Sequence, residues 1–476
     1  MSVQPPCPAS AASQSADATV PIMRGIALLL LTTLLSACAS RPSTPPPRET
    51  VAEAVSIGLG GSVWTGSDRD QAWREARLAA LLSEPLDTAA ALEVAALADQ
   101  EILALLAELD AQRAATEQAG LLPNPSFRLM AMRMEAGRVS GVTMLDYGLM
   151  QDLIAVFTRG RRLAQAEADE RARAFATAAA IMDRLWRAEA AYAQAVSAGE
   201  RAGIWAQRGD LAMERAELAR ALASRGALSQ TQATDRVAQS SRLLQMALEA
   251  NDNATARKAA LAEVLGLESA NGIQLPDSAP EPASEPDSPE ALRAAALDLR
   301  LDLLAAQANA LRDAEAQALI ERWRLLPSLG VGVAGEREAD GVGALGAEIA
   351  LTVPLFDQGQ ARLAGAEANL AASQARIAAR ERQIAAGVDR AFADWQREHN
   401  RLQQLSDQVQ PELASLLAQH ERNYRDGISD RFTVLDAADA LLALAIDQLD
   451  ANEARWLARI ELSRQTGTAL PLERSE

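Results

Sequence analysis

Cysteine, histidine and lysine are all scarce in this sequence. The two cysteines, Cys7 and Cys38, both lie near the N-terminus, so the body of the chain has neither a disulfide framework nor a cysteine-based metal site. The two histidines, His399 and His420, have no metal-ligand spacing around them, and packed or solvated helix positions explain them better. Lys258 is the only lysine, so the positive charge comes almost entirely from arginine. We therefore expect no metal site.

Aromatic residues are also few, and this favours helix over a large aromatic core. The chain is 49% hydrophobic but 3% aromatic, and its apolar residues are mainly alanine and leucine. Its 476 residues suffice for two or three ordinary domains or for one long architecture built from a repeat. The net charge of -18 disfavours nucleic acid as a partner. The sequence lacks a nucleophile elbow, a phosphate loop and a histidine-based acid–base pair, so we expect neither an enzyme nor a cofactor.

Residues 23–38 have the features of a secretion signal. The stretch MRGIALLLLTTLLSAC combines a basic start with an apolar run that is too short to span a bilayer permanently. Its last four residues, LSAC, resemble the bacterial lipobox, in which the signal peptidase cuts before a lipidated cysteine. We predict a signal region over residues 1–38, with Met1 or Met23 as the true start, and lipidation at Cys38. An ordinary signal peptide that contains a cysteine is the alternative.

The segment after the signal is predicted to be a lipidated tether, residues 39–70. Ala39 follows Cys38 where a retained inner-membrane lipoprotein would have Asp, so the outer membrane is the expected location. The proline-rich stretch RPSTPPPRET at 41–50 is predicted to be extended.

The sequence resembles itself at an offset of about 200 residues. The matching features follow one another in the same order: LLP at 121 and 325, FTRG at 157 and FDQG at 356, AEA at 166 and 366, Gly226 and Gly427, Asp235 and Asp436, Gly266 and Gly467. We interpret this ordered series as a duplication, with a first repeat at 71–275 and a second at 291–470. A Pro/Ser/acidic linker at 276–290 separates them, and a tail follows at 471–476.

Each repeat contains one segment whose apolar residues alternate. Strands are predicted at about 126–135, 142–153, 328–337 and 343–354. One face is apolar and the other is small or polar, as where Leu345 and Ile349 oppose Gly346 and Glu348. We therefore predict one amphipathic hairpin in each repeat.

Long helices flank both hairpins. Helical periodicity predicts helices over 86–119 and about 228–264, and two very long ones over about 158–225 and 358–426. A turn at Gly226 and another at Gly427 are predicted to reverse the chain. The two shorter helices of a repeat, stacked end to end, match the long one and are expected to pack along it.

Four strands with one apolar face cannot close a barrel alone. If the apolar face meets lipid, every strand edge must be paired, and symmetric association of several chains achieves this. Strands of about ten residues have the length to cross a bilayer when tilted. The alternative is a small sheet on a periplasmic helical protein.

Three motifs carry a resemblance to a known family: LLPNPSF at 121–127, VPLFDQGQARLAGAEANLAASQA at 353–375 and NYRDGISDRFTVLDAADALLAL at 423–444. With the duplicated element order, they resemble the TolC-type outer-membrane efflux proteins over residues 70–470. The resemblance implies a mainly α fold with a small β part. In it, three protomers form a twelve-stranded β-barrel continuous with a periplasmic α-barrel.

The resemblance also implies a function and partners. It implies a homotrimer in outer-membrane lipid that serves as the passive exit duct of a tripartite efflux system. An inner-membrane pump, of resistance-nodulation type, would deliver substrates together with a periplasmic adaptor, or membrane fusion protein. The chain also resembles the heavy-metal branch weakly, and drugs, metal cations and proteins all stay open as substrates. The alternatives are a pore-less periplasmic coiled-coil scaffold lipoprotein and the outer-membrane component of type I protein secretion.

The family's periplasmic tip, where helices reverse, holds the channel shut and meets the adaptor. The matching stretches here are 224–235 and 425–436, and they contain the tip and gate candidates Gly226, Asp235, Arg425, Asp426, Gly427, Asp430 and Asp436. Threefold symmetry would place Asp235 and Asp436 in carboxylate rings that respond to cations. Solvated surface acids, helix N-terminal charges and ordinary turn chemistry are the alternatives.

A second set of candidates forms the joint between strand and helix in each repeat: Phe157, Gly160, Pro354, Phe356, Asp357 and Gly359. Pro354 cannot donate to a ladder and is expected to end the strand. Asp357 is predicted to cap the next helix, with Gln360 as its capping-box partner. Phe356 is expected at the membrane edge or stapled to the helix. The first repeat has Thr158 in place of the Asp cap, so its joint is predicted to be looser.

Overall fold

The computed structural model describes residues 45–59, 71–136, 139–278, 285–338 and 341–469. The chain divides into two compact units. The sheet unit takes its described residues from 114–167 and 315–366, and the helical unit takes its own from 45–113, 168–314 and 367–469. Cys38, with the rest of the predicted signal region, and the predicted tail lie outside the described residues.

The sheet unit contains a four-stranded antiparallel sheet. Its strands are β1 Ser126–Ala136, β2 Val139–Asp152, β3 Leu329–Glu338 and β4 Gly343–Leu351, in the order β1-β2-β3-β4. The pairing of β2 with β3 joins the hairpin of the first repeat to that of the second. β4 ends before the predicted residue 354, since the last partner on β3 is Leu329, opposite Leu351.

The two faces of the sheet differ in polarity, because side chains alternate along each strand. Exposed apolar side chains share one face: Phe127, Leu129, Leu149, Leu345, Ile349 and Leu351. Tyr147 lies on the same face, with its ring over Gly335, where an added Cβ would be 2.6 Å from the ring. On the other face, Arg128 Nη2 donates to Glu348 Oε1 at 3.5 Å. Within the described residues the apolar face has no covering element.

Helices make up most of the remaining described residues, as the predicted mainly α fold requires. They are α1 Pro47–Leu59, α2 Gln71–Leu81, α3 Thr88–Ala98, α4 Gln100–Ala119, α5 Leu153–Ser224, α6 Gln230–Val264, α7 Pro289–Leu299, α8 Leu301–Trp323, α9 Gln360–Gln404, α10 Gln410–Arg425 and α11 Arg431–Thr466. None of these helices is apolar over enough of its length to cross a bilayer.

Alanine dominates the core of the helical unit. Fully buried alanines come from facing helices, among them Ala91, Ala178, Ala188, Ala193 and Ala451. Small side chains allow the helix backbones to approach closely, and this explains how a chain poor in aromatic residues builds a core. Tyr192 is an almost fully buried aromatic residue of this core: its Oη donates to the Leu86 carbonyl at 2.8 Å, and its ring makes an edge contact with the buried Trp456.

The predicted single helix over 86–119 is wrong, because the chain breaks at Asp99 between α3 and α4. Asp99 has extended backbone angles, φ -69° and ψ 109°. Its Oδ1 accepts from the Glu101 N–H at 2.9 Å, and its Oδ2 pairs with Arg184 at 2.6 Å. The same break recurs at Arg300 between α7 and α8, with φ -63° and ψ 114°. In the first break the Asp99 carboxylate accepts a backbone N–H of the next helix, which compensates for one of the interrupted helical hydrogen bonds. In the second break Arg300 bonds the Asp302 carboxylate, and Asp302 Oδ1 accepts from the Leu303 N–H at 3.0 Å.

The two long helices also differ from prediction. α5 begins at Leu153, directly after β2, and not at residue 158. The helix predicted over 358–426 is interrupted by a π-helical turn at Leu405–Val409, so α9 and α10 are separate elements. Pro411 follows that turn, and a proline in a helix cannot donate to the carbonyl four residues back, so the chain accommodates it with a wider turn.

The predicted extended tether is helical over Pro47–Leu59. Val51 and Val55 of α1 are buried in the helical unit's core, and Arg48 Nε donates to Asp110 Oδ1 at 2.8 Å. Proline suits the first turn of a helix because its missing N–H would have no helical partner there. Val51 and Val55 follow Pro47 at a spacing of four residues, and this pattern predicts a helix despite the proline-rich composition of the segment.

Candidate functional site

The first strand-to-helix joint has no connecting loop. β2 ends at Asp152 and α5 begins at the next residue. Asp152 Oδ1 accepts from the Ala155 N–H at 3.2 Å, so Asp152 caps the helix. Thr158 lies within the helix, and its hydroxyl donates to the Ile154 carbonyl at 2.7 Å. The predicted looser first joint, which depended on Thr158 as the cap, is wrong.

The aromatic and glycine candidates of this joint lie inside α5. Phe157 stacks on Trp323 with ring centroids 6.0 Å apart and an interplanar angle of 9°. Gly160 has nothing within 4 Å of the position where a Cβ would stand. Nothing in the surroundings of Gly160 within this chain therefore requires a glycine at this position.

The second joint is an irregular segment between β4 and α9. Pro354 follows the end of the ladder, and Gly359 adopts φ +73° immediately before the helix. Asp357 Oδ1 accepts from the Gly359 N–H at 2.8 Å, and Gln360 Oε1 accepts from the Gln358 N–H at 2.9 Å. Both side chains thus bond the turn that precedes the helix. The predicted capping box at Asp357 is wrong, because the positive φ of Gly359 places the helix start two residues later.

Phe356 projects from this second joint and is 93% exposed within the chain. It makes no staple to the helix that follows. This leaves the membrane-edge position as the remaining prediction for Phe356.

The helix reversals lie in the helical unit, and both use a left-handed glycine. Gly226 and Gly427 each have φ +73°. The next N–H in each reversal bonds back across the turn, from Ala227 to the Leu222 carbonyl at 2.9 Å and from Ile428 to Asn423 at 2.8 Å. These bonds satisfy carbonyls that the helix ends leave unpaired. The duplicated sequence feature therefore produces the same local turn twice.

The helices that follow the reversals begin with different caps. Ser229 and Gln232 form a reciprocal capping box at the start of α6. Asp430 caps α11, where its Oδ1 accepts from the Thr433 N–H and hydroxyl, both at 2.9 Å. The Thr433 N–H holds the pKa of the Asp430 carboxyl below its usual value. Asp430 is thus a helix cap in this chain.

The other tip candidates do not form one cluster within the chain. Arg425 Nε donates to the Glu421 carbonyl at 3.3 Å, and Asp426 follows the last residue of α10. Asp235 is exposed on α6. Asp436, also exposed, pairs with Arg215 at 3.0 Å. Among the described residues, Arg425, Asp426 and Asp430 make no ion pair with one another.

A set of arginines that sequence reasoning missed holds α5 to α11. Arg201, Arg208 and Arg215 follow one another at seven-residue spacing on α5, which keeps them on one helix face. We call them the arginine ladder. Their carboxylate partners on α11 are Asp450 and Glu453 for Arg201, Asp439 for Arg208, and Asp436 and Asp439 for Arg215.

The arginines of the ladder are well shielded from solvent. The side chains of Arg208 and Arg215 are 13% exposed, and that of Asp439 is 18% exposed. Arg208 also lies over the Trp205 ring at 4.4 Å, and Arg215 donates to the Leu435 carbonyl at 2.7 Å. Shielded, multiply bonded arginines fix helix register more strongly than surface ion pairs do.

Burial and partners act in opposite directions on Arg201. Burial lowers the pKa of Arg201, but the hydrogen bonds and charges of Glu453 and Asp450 outweigh it and raise the pKa above its ordinary value. Arg201 therefore keeps its charge at any physiological pH. The heptad spacing of the three arginines was visible in the sequence, but their role depends on the carboxylates of a helix more than 200 residues away.

In the described residues, no group of three His, Cys, Asp or Glu side chains is placed to hold a metal ion. The carboxylates that do cluster on α11 are already neutralised by the arginine ladder.

Residues 292–468 match the outer membrane efflux protein family. No curated protein matches the chain in sequence. Among solved structures, the outer membrane protein VceC from Vibrio cholerae is 17% identical with a TM-score of 0.65, over 83% of this chain and 97% of that one. The CmeC outer membrane channel of Campylobacter jejuni is 13% identical with a TM-score of 0.62, over 87% and 90%.

The open state of the MtrE outer membrane channel of Neisseria gonorrhoeae has the same fold, at 17% identity and a TM-score of 0.61, over 85% of this chain and 94% of that one. The resemblance to TolC-type proteins drawn from the sequence is thus confirmed, in the second repeat by the family match and across most of the chain by the fold.

Proposed function

We propose, from the outer membrane efflux protein match at residues 292–468 and the fold that most of the chain shares with outer membrane channels, that this protein is the exit duct of a tripartite efflux system. In this proposal the duct is passive and carries substrates outward. An inner-membrane pump, of resistance-nodulation type, supplies them with the help of a periplasmic adaptor.

The sheet carries this proposal. It has an exposed apolar face, and its outer strands β1 and β4 each have one edge without a partner among the described residues. Unpaired edges are unfavourable in lipid, where only closed barrels and helices satisfy every backbone group. Three copies, joined edge to edge, would close twelve strands into one barrel with the apolar face outward. The proposed assembly is therefore a homotrimer.

The reversals are the proposed contact with the adaptor. Ile428, in the turn after Gly427, is 73% exposed, and Tyr424 before it is 44% exposed. Exposed apolar side chains on an ordered turn are typical of a docking surface. The resemblance assigns the same turns to the adaptor contact.

We also propose that Cys38 carries a lipid anchor that holds the chain at the outer membrane. We expect labelled palmitate to be incorporated into the wild-type protein and not into Cys38→Ser. Incorporation into both would contradict the lipobox interpretation.

Single-channel recording in planar lipid bilayers tests the duct. Purified protein is expected to insert and conduct, and Arg208→Met or Arg215→Met is expected to raise the conductance, because loosening α11 from α5 widens the reversal end. If neither the wild-type protein nor these variants conduct, although each migrates as a heat-modifiable trimer, the duct is wrong.

A further inference from the structure

Methionine is concentrated in one hairpin of this chain. The sequence has 10 methionines, and half of them lie in the short stretch from Met130 to Met150, on β1 and β2. The side chains of Met130, Met132, Met144 and Met150 are described.

Strand register brings these methionines to one face. Met132 lies directly opposite Met144, and Met130 lies opposite Asp146. Residues directly opposite each other have Cβ atoms about 4.5–5.5 Å apart and point to the same side. Met150 is on this face too, since an added Cβ at Gly330 would stand 2.8 Å from its sulfur. We call this set, with Asp146, the methionine face.

The methionine face is the polar face of the sheet. Arg128 and Glu348 bond to each other on it, and glycine or alanine fills most of its other positions. Met130 is 48% exposed and Met132 is 47% exposed. Met213 and Met246 are similarly exposed on helices, so what distinguishes Met130 and Met132 is their place beside charged and small residues and opposite other polar or sulfur-bearing side chains.

The same face carries uncompensated negative charge. Asp146 lies directly opposite Glu336, and Met144 lies opposite Glu338. Like charges directly opposite each other destabilise a sheet. In the described part of the chain, no arginine or lysine forms an ion pair with Asp146, Glu336 or Glu338. A cation at this face would remove the repulsion.

The ligand atoms decide which kind of cation fits. Thioether sulfur is a soft ligand that selects monovalent copper, whereas magnesium and calcium need several oxygen ligands. The described residues offer no cluster of three His, Cys, Asp or Glu side chains for such a hard ion. Two methionines facing each other across a strand pair provide the two sulfur ligands that Cu(I) and its analogue Ag(I) accept.

We propose that Met130, Met132 and Met144 form a binding site for a soft monovalent metal cation, Cu(I) or Ag(I), and that the acidic residues beside them attract it. That the cation meets this site on its way out of the cell depends on the proposed duct. Binding itself does not depend on it.

The probe is silver nitrate, added in halide-free buffer to the purified, detergent-solubilised protein with its thiols alkylated. Methyl-labelled methionine is observed by NMR, and single Met→Leu variants assign the signals. The Met130, Met132 and Met144 methyl signals are expected to shift. The signals of Met213 and Met246, each 46% exposed on a helix, serve as matched controls and are expected to stay in place. Equal shifts at all five would overturn the site.

The variant Met132→Leu with Met144→Leu keeps side-chain volume and removes both sulfur atoms. It is expected to weaken silver binding by about tenfold or more in calorimetry. Met213→Leu with Met246→Leu is expected to leave the affinity unchanged. An unchanged affinity in the first double variant, with native trimer migration, would rule the site out.

The outcomes for the duct and for the site are separable. Protein that binds silver through these methionines but carries no current refutes the duct and keeps the site. Protein that conducts but shows no silver-dependent shift at them refutes the site and keeps the duct.

Discussion

The two repeats build the same elements from different interactions. In the first, β2 passes into α5 without a loop, and Asp152 caps the helix. In the second, an irregular segment separates β4 from α9, and Gly359 in a left-handed conformation starts the helix. The first long helix is continuous from Leu153 to Ser224, whereas the second is interrupted at Leu405–Val409.

The long helices also bind α11 differently. The arginine ladder joins α5 to α11 through three arginines whose side chains are largely shielded from solvent. Near the π-helical turn, by contrast, Gln448 of α11 meets Ser406 at 3.3 Å and Gln410 at 3.0 Å. Neutral amide contacts at a partly exposed surface contribute less than shielded arginine pairs. The duplication has therefore kept the fold while making one flank of α11 more strongly bound than the other.

The largest expected effect comes from breaking the stronger flank. Arg208→Met leaves Asp439, 18% exposed, with the longer Arg215 pair at 3.5 Å, and we expect a loss of about 3 kcal/mol because a shielded carboxylate then loses its closer ion pair. The readout is the apparent melting temperature at one fixed scan rate, since unfolding of such an assembly need not be reversible.

The matched control for this variant is Arg397→Met on α9. Arg397 also pairs with two carboxylates, those of Asp394 and Glu398, but its side chain is 66% exposed. Exposed pairs of this kind contribute little, so no measurable change is expected. Equal losses from the two variants would show that the ladder has no special role.

A smaller effect is expected from alanine at the two joint glycines. Gly359→Ala is expected to cost about 2 kcal/mol, because alanine at φ +73° is strained and its Cβ would lie 2.8 Å from that of Arg324. Gly160→Ala is expected to gain about 0.5–1 kcal/mol, since Gly160 is helical with free space around it. Melting curves of both variants test this difference. If Gly160→Ala destabilises the protein as much as Gly359→Ala, the two joints are equivalent.

Much of this difference between the repeats could not be predicted from the sequence. Alternation and helical periodicity predicted the strands and most helices, because these patterns depend on one element at a time. A few local interactions determine the cap at Asp152, the π-helical turn before Pro411 and the break at Asp99. Several nearby residues have side chains that could make the same bonds. Thr158 was as good a cap candidate as Asp152 until the start of α5 was known.

The tip was predicted only in part, for a related reason. Gly226 and Gly427 were identified correctly as turn residues, because a helix reversal requires a residue that tolerates positive φ. The arginine ladder was missed, since its partners lie on another helix and pairing depends on how the helices face each other. Asp439, its central carboxylate, has no feature in the sequence that separates it from Asp436.

The smallest expected effect distinguishes the two caps that follow the reversals. Ser229→Ala and Asp430→Ala are each expected to cost about 1 kcal/mol at neutral pH, because each removes a side-chain acceptor from a helix start. The two losses should respond differently to acid, since a hydroxyl does not titrate in this range and a carboxylate does.

The direction of the acid effect follows from the lowered pKa of Asp430. A group whose pKa is lower in the folded state stabilises the protein above its unfolded pKa, about 3.9 for aspartate, and loses that contribution as pH falls through the folded value. The deficit of Asp430→Ala should therefore shrink as the pH falls from about 5 through the unfolded value and below it, whereas that of Ser229→Ala should stay constant. Asp430→Asn, which keeps an acceptor, should be less stable than the wild type by only a few tenths of a kcal/mol at neutral pH. Melting curves across this range test the assignment, and a deficit of Asp430→Ala that does not change with pH would mean that the Asp430 charge plays no part in the cap.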